Sequence, residues 1–373
     1  MLSSQVSEAI DSLRFPMAVL VIICHAGFFS RPSGEMIEAW DSWHVLIGMQ
    51  LFFSEVLPHV AVPLFMLFSG VLLFKNGVMN FEGYVKALYK RVRTLLIPYL
   101  IWNSICFVFA IFEGHCQPTF MHWAQGLWDT ALWNPETTFS INLPGYPMSM
   151  PLWFLRDLMI LVLLSYPIVK LLQLTRGWLL LLIAIWWFPD HGKFFGFGAD
   201  SLFYFSVGAW FGIRQIDFIN LLRKMRTGSY TIALIMLCVD ALITYNLYIE
   251  NGELQFLWIP FNLFVVSMMA ATLNLAADWQ TTRVQEILQK LSPSSFFLFA
   301  AHIVFLYQIQ KWLYGLLEPD TQLGNMLFYW FFIIIYIIML TETFFLLKHI
   351  SPRTVNLITG GRIEQSKKTI NKL

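Results

Sequence analysis

The sequence predicts an all-α fold, a polytopic membrane helix bundle of about ten transmembrane helices with both termini cytoplasmic. Three observations lead there. Hydrophobic residues make up 57% of the 373-residue chain and charged residues only 13%, against roughly a quarter charged in soluble domains, and the mean hydropathy is +0.62. Apolar runs of the roughly 17–25 residues that a helix needs to cross a bilayer recur along the chain. Lys and Arg gather in alternate connections between those runs.

Taken in order, spans are expected near 12–30, 56–74, 94–113, 152–172, 177–189, 199–213, 229–249, 255–276, 293–313 and 326–347. The fifth and sixth are short, so they are expected to be tilted, broken or partly re-entrant, which a membrane permits where protein covers the backbone. Residues 44–57 are apolar too, but Pro58 and Pro63 interrupt the run, and the segment is expected as a helix leading into the second span. The longest external stretch is 114–151. Its first half, with Trp123, Trp128 and Trp133, has amphipathic helical spacing; its second half, "INLPGYPMSMP", is punctuated by Pro and Gly as a loop.

Orientation follows from charge. With the N-terminus inside, 19 of the 24 Lys and Arg fall in internal connections or the tail, the distribution the positive-inside rule demands. No basic patch of the kind that binds nucleic acid is present. The stretch before the first span holds Glu8 and Asp11 instead of a basic region, so no cleaved signal is expected. Four cysteines, three of them in apolar runs, suggest no disulfide framework. The expected organisation is one membrane domain over residues 1–350 and a short basic cytoplasmic tail over 351–373.

Chemistry is expected where ionisable groups interrupt the apolar runs, because such groups are costly in lipid and face a bundle interior or a water-filled cavity. Arg14 and His25 are eleven residues apart, and eleven helical steps of about 100° end within about 20° of three turns. They therefore share a face, with the small Ala18 between them, and a cavity is expected along that stripe. His25 lies about 16 Å beyond Arg14 at 1.5 Å per residue. His302, in "LSPSSFFLFAAHIVFL", lies about 14 Å above the start of the ninth span by the same measure, so two imidazoles can meet at one depth. Imidazole suits proton transfer near neutral pH. Simple packing with one buried hydrogen bond is the competing reading for each. No spacing typical of a metal site is present, and no metal is expected.

Three further features have two readings each. Lys90, Arg91 and Arg93 open the third span as "YKRVRTLLIPYL", either as positive-inside anchors or as a site for an anionic cytosolic ligand, since guanidinium forks match phosphate. Ser69 and Gly70 serve either close helix packing or a cavity wall. Arg156 and Asp157, in "PLWFLRDL", form a polar feature at the outer rim, and the three Trp there serve a headgroup belt or a sugar platform. Asp240 and Glu342 also interrupt apolar runs, without a partner legible from sequence.

In these segments the chain resembles the acyltransferase-3 family of integral membrane O-acyltransferases. "IDSLRFPMAVLVIICHAGFF" is similar to that family's first-helix signature of an Arg and a His separated by ten residues. "VPLFMLFSGVLLF", "KRVRTLLIPYL", "PLWFLRDLMI" and "SFFLFAAHIVF" follow in the family's order, although Phe299-Ala300-Ala301 stands where many relatives are rich in Tyr. The resemblance implies transfer of an acyl group, often acetyl from acetyl-CoA, to a sugar hydroxyl of an envelope polysaccharide or glycolipid, in the inner (cell) membrane. By resemblance Arg14, His25 and His302 are the catalytic candidates and Arg91 and Arg93 match the basic pair before the third helix; with the neighbouring Lys90 they are the candidates that hold acyl-CoA. A transporter or exporter of polysaccharide or small molecules, in which the buried charges line a path and no bond is broken, is the alternative.

Overall fold

The computed structural model describes residues 4–27, 44–133, 145–189, 193–194, 197–251 and 256–361. Among them eight helices are long and apolar enough to cross a membrane, and the only strands are the antiparallel pair β1 (Lys193–Phe194) and β2 (Phe197–Gly198). The fold is all-α, as the periodicity and composition predict. In chain order the helices are α1 (Ser4–Ala26), α2 (His44–Leu73), α3 (Phe81–Phe112), α4 (Phe120–Trp128), α5 (Trp153–Leu174), α6 (Trp178–Trp187) and α7 (Ala199–Arg214). There follow α8 (Phe218–Arg223), α9 (Arg226–Asn251), α10 (Trp258–Asp278), α11 (Arg283–Leu291), α12 (Ser295–Leu317), α13 (Gln322–Ile350) and α14 (Pro352–Ile358). Arg31 and the basic residues beyond 361, both used in the orientation argument, lie outside the described residues.

Two of the ten expected spans are not full-length helices. α6 has ten residues and α7 sixteen. They still carry the chain from one end of the bundle to the other and back, since the turn before α6 packs on Trp210 late in α7, while β2 reaches Asp157 at the opposite end of α5. Beyond α6 the chain leaves helical pitch, and Asn262 of α10 donates to the Phe188 carbonyl at 2.9 Å. That bond satisfies an orphan carbonyl of the helix end inside the bundle, which is how a broken span is tolerated. Gly70 lets α7 seat directly against α2, because a Cβ there would lie 2.2 Å from the Phe205 carbonyl oxygen. The packing reading of the Ser69–Gly70 pair is the one the fold realises.

Prolines change the pitch of two long helices without breaking them. α2 is π-helical over Leu51–Val56 and 3-10 over Leu57–Val60 before it resumes α pitch at Ala61. α3 is π-helical over Val92–Leu96, just ahead of Pro98. A proline cannot donate to the carbonyl four residues back and its ring pushes that carbonyl away, so the chain inserts a wider turn. The lead-in helix expected over 44–57 is therefore continuous with the second span.

α1 is the centre of the bundle. Val6, Ile10, Leu13, Ala18 and Ile22 are each at most 1% exposed, and the helix packs on α2, α8, α10, α11, α12 and α13. Gln280 Nε2 donates to the Gln5 carbonyl at 2.9 Å, Gln285 Nε2 to Glu8 Oε2 at 3.2 Å and Gln310 Nε2 to the Ala26 carbonyl at 2.8 Å. Partner numbers rise together, so α1 runs parallel to α11 and α12. Gln5 lies beside the end of α10; α10 reaches Leu222 through Asn274, and Gln215 reaches the Lys75 carbonyl just before α3. Gly360 also packs at the start of α3. The first and last described residues thus share one end of the bundle, the end that carries Lys75, Lys90, Arg91, Arg93 and Arg226.

Candidate active site

His25 is the last residue but one of α1, and His302 is the eighth of α12. Because the two helices are parallel, the depth match read from their spans becomes a contact: the rings stack with centroids 5.2 Å apart and planes 28° apart. His302 is fully buried and His25 is half-buried, so His25 is the member of the pair that a substrate can meet. The His302 Nδ1 lies 2.8 Å from the Phe299 carbonyl. A carbonyl only accepts, so Nδ1 carries the proton and Nε2 presents a lone pair in the neutral ring. That Nε2 is buried with no hydrogen-bond partner among the described residues, the kind of group that a functional role explains.

The backbone around the pair is pinned. Tyr336 of α13 donates to the His302 carbonyl at 2.6 Å. At the end of α1, where carbonyls have no partner within the helix, Ser54 donates to the Ile23 carbonyl at 2.9 Å and Gln310 to that of Ala26. Since the Ser54 proton is committed there, the Tyr329 hydroxyl 2.8 Å away donates to Ser54. His25 sits between two clamped carbonyls. Ser54 reaches α1 from the π-helical turn of α2, a pitch change of the sort found at functional sites.

Sequence reasoning missed a third imidazole. His59, in the 3-10 turn of α2, lies within electrostatic reach of His25, and its ring packs edge-on against Phe256 and Phe261 at 5.4 and 5.0 Å. The signal was present as a histidine bracketed by Pro58 and Pro63 in an apolar run, where non-α backbone inside a membrane marks a protein-lined interior. Tyr336 and Tyr329 gave no such signal, because aromatic residues are common along every span.

Arg14 lies in the half of α1 nearer the basic end of the bundle. It pairs with Asp11 at 2.9 Å, with about 40% of its side chain exposed, level with the end of α11. Among the described residues the Arg14–His25 face is closed at Ala18, which has 0% exposure, while Val21 on the same face is 6% exposed. A zero value means that no water-sized space touches Ala18. Ala18 faces the bundle interior, where even a small residue is filled against by neighbouring helices.

Lys90, Arg91 and Arg93 stand at the foot of α3, away from the histidines. Lys90 and Arg93 are exposed and Arg91 is half-buried. None of the three makes an ion pair among the described residues, which leaves their donors available to an anion.

The opposite end of the bundle is capped by α4 and residues 145–152. Arg156, 6% exposed, donates to the Trp128 carbonyl at 2.6 Å and to that of Gly145 at 2.9 Å, and its guanidinium lies 5.2 Å from the Trp128 ring centroid. Asp157 accepts from Arg156, from the Gly198 N–H and from Ser201. The polar rim predicted from "PLWFLRDL" is a buried staple holding loop and helix together. Trp123 donates to Ser104 at 3.0 Å and Trp133 to the His122 carbonyl at 2.8 Å. Asp240 is buried within α9, whereas Glu342 of α13 is exposed. Among the described residues no group of three His, Cys, Asp or Glu side chains has the geometry to hold a metal ion.

Two comparisons with known proteins match nearly the whole chain. The model of a family described as an acyltransferase domain matches residues 7–346. The chain is 27% identical over 372 residues to the succinoglycan biosynthesis protein ExoH of Rhizobium meliloti, covering 97% of this chain and 94% of that protein. No solved structure matches it.

Proposed function

The chain belongs to the family of membrane acyltransferases, and from that membership we propose that it carries an acetyl group from cytosolic acetyl-CoA to a hydroxyl of a cell-envelope glycan or glycolipid. The acceptor class follows the relative named for succinoglycan biosynthesis. The single observation that carries the mechanism is the stacked His25–His302 pair, two imidazoles at 5.2 Å inside a membrane bundle. In this proposal the basic end of the bundle is the cytoplasmic face, in keeping with the positive-inside rule, both ends of the described chain are cytosolic and the protein resides in the inner membrane.

In this reading the donor's phosphates dock on Lys90, Arg91 and Arg93, and its thioester arm reaches inward. The acceptor oxygen attacks the thioester carbonyl carbon while His25 removes the hydroxyl proton. The carbon–sulfur bond breaks, and the proton passes to the departing thiolate. A variant forms an acyl-His25 intermediate first. His302, with Nδ1 committed to the Phe299 carbonyl, orients the acceptor or relays the proton through Nε2. Arg14, about 16 Å from His25 along α1, holds donor charge at the level of α11. The packed face at Ala18 must open as the arm enters.

The test is incubation of purified protein in lipid nanodiscs with labelled acetyl-CoA and envelope glycan. Label on the glycan or on the protein supports transfer. Flux of glycan across liposomes without incorporation of label sinks it in favour of transport.

A further inference from the structure

The last described helix, α14, folds back onto the foot of α3. Val355 and Thr359 are fully buried there, and the Trp102 indole of α3 donates to the Ile358 carbonyl at 3.0 Å. Gly360 and Gly361 follow with φ of +67° and +79°, a region that glycine enters without steric cost. Gly360 N–H donates to the Leu357 carbonyl at 3.2 Å and Gly361 N–H to that of Asn356 at 2.7 Å, which is the paired closure of a Schellman helix end.

That turn is pressed onto one peptide of α3. A Cβ on Gly360 would lie 2.4 Å from the Thr94 carbonyl oxygen and 2.9 Å from its carbonyl carbon and Cα, so no side chain fits. Thr94 is also the residue whose carbonyl an α-helix would bond to the N–H of residue 98, and Pro98 has none. α3 answers with π pitch over Val92–Leu96. Gly360 therefore nests on the middle of the turn that contains Arg93 and directly follows Arg91. The turn's phase matters: one residue more or less in it rotates everything before it by about 100°.

We infer that the wedge formed by α14 and Gly360 is a positioning element of the donor site, bracing the π-helical turn at Thr94 so that Arg91 and Arg93 face the phosphates of an acyl-CoA donor. It rests on the reading of Lys90, Arg91 and Arg93 as the donor's phosphate contacts. Gly360 itself touches no substrate; it acts through the backbone of α3.

The experiment compares two donors in nanodisc-embedded full-length protein: acetyl-CoA, and the acetyl thioester of N-acetylcysteamine, which has the same reacting group and no phosphates. Gly360→Ala is expected to raise KM for acetyl-CoA about tenfold, the size of one lost charge-assisted hydrogen bond, with kcat and the KM of the short thioester little changed. Trp102→Phe, which removes the bond to Ile358 and keeps the ring, is expected to move KM in the same direction, and it carries the test should Gly360→Ala fail to fold. Gly228→Ala adds a Cβ that meets nothing within 4 Å and should match the wild type. Equal losses with both donors, a fall in kcat alone, or wild-type KM in both wedge variants would reduce the wedge to a structural staple and overturn the inference. Arg91→Ala and Arg93→Ala report on the premise separately. Wild-type KM in those two removes the donor reading and the inference with it, whereas a raised KM there beside an indifferent wedge removes the inference alone.

Discussion

Two π-helical turns, Leu51–Val56 in α2 and Val92–Leu96 in α3, each end two residues ahead of a proline, Pro58 and Pro98. The local cause is the same, a missing N–H that forces a wider turn. Their surroundings are opposite. The first is enclosed: Ser54 is fully buried, bonds to α1 and is followed by His59 near His25. The second is at the edge of the bundle, exposes Arg93 and is braced from outside by Gly360. In the proposed function, one defect in helical pitch serves proton chemistry in the enclosed turn and ligand capture in the exposed one. Environment, not backbone type, assigns the role.

Substitutions can break this contrast, and the largest effect belongs at the histidine pair. His25→Ala should lower acyl transfer by about 10² to 10⁴, the usual worth of a general base, while the protein still inserts and purifies; wild-type rates with labelled acetyl-CoA would end the catalytic assignment. Next come the two prolines. Pro58→Ala restores a donor to the Ser54 carbonyl and lets the enclosed turn tighten. Moving Ser54 and His59 by about 1 Å should cost about 10² in kcat. Pro98→Ala should instead act on KM for the donor, and a shared pattern for both variants would show that the turns do not differ in role.

Ser54→Ala sharpens the contrast from within the buried turn. It removes the buried bonds to the Ile23 carbonyl and the Tyr329 hydroxyl, so a loss of about 1–3 kcal/mol in stability is expected, read as a lower melting temperature. An unchanged melting temperature would mean that the end of α1 is held by Gln310 alone. The smallest effect is electrostatic. Raising salt from 0.1 to 1 M shortens the screening length from about 10 to 3 Å, so donor KM should rise several-fold in the wild type and little in an Arg91→Ala, Arg93→Ala double variant. A salt response that survives both substitutions would place the donor's charge contacts elsewhere.

Much of this arrangement was legible in the residues. The periodic apolar runs located the spans, the fifth and sixth stood out as short, and a rise of 1.5 Å per residue brought His25 and His302 to one depth. Arg14 was found but its partner was not used, although Asp11 lies three residues away, within ion-pair reach on the same helix. His59 was overlooked because its role depends on which way a 3-10 turn faces. The empty stripe expected at Ala18 assumed that a small residue leaves a space, whereas the neighbouring helices close over it.

Sequence alone located the long apolar helices, showed which connections are basic and brought His25 and His302 to one depth, because bilayer thickness and helical rise convert residue counts directly into distance. Tertiary structure alone decided that the two imidazoles stack, that His59 of α2 packs against the aromatics Phe256 and Phe261, that Ala18 is covered and that Gly360 rests on Thr94. Those depend on how helices far apart in the chain pack on one another, and such packing is set by the shapes of several helices at once, which no single stretch of sequence carries.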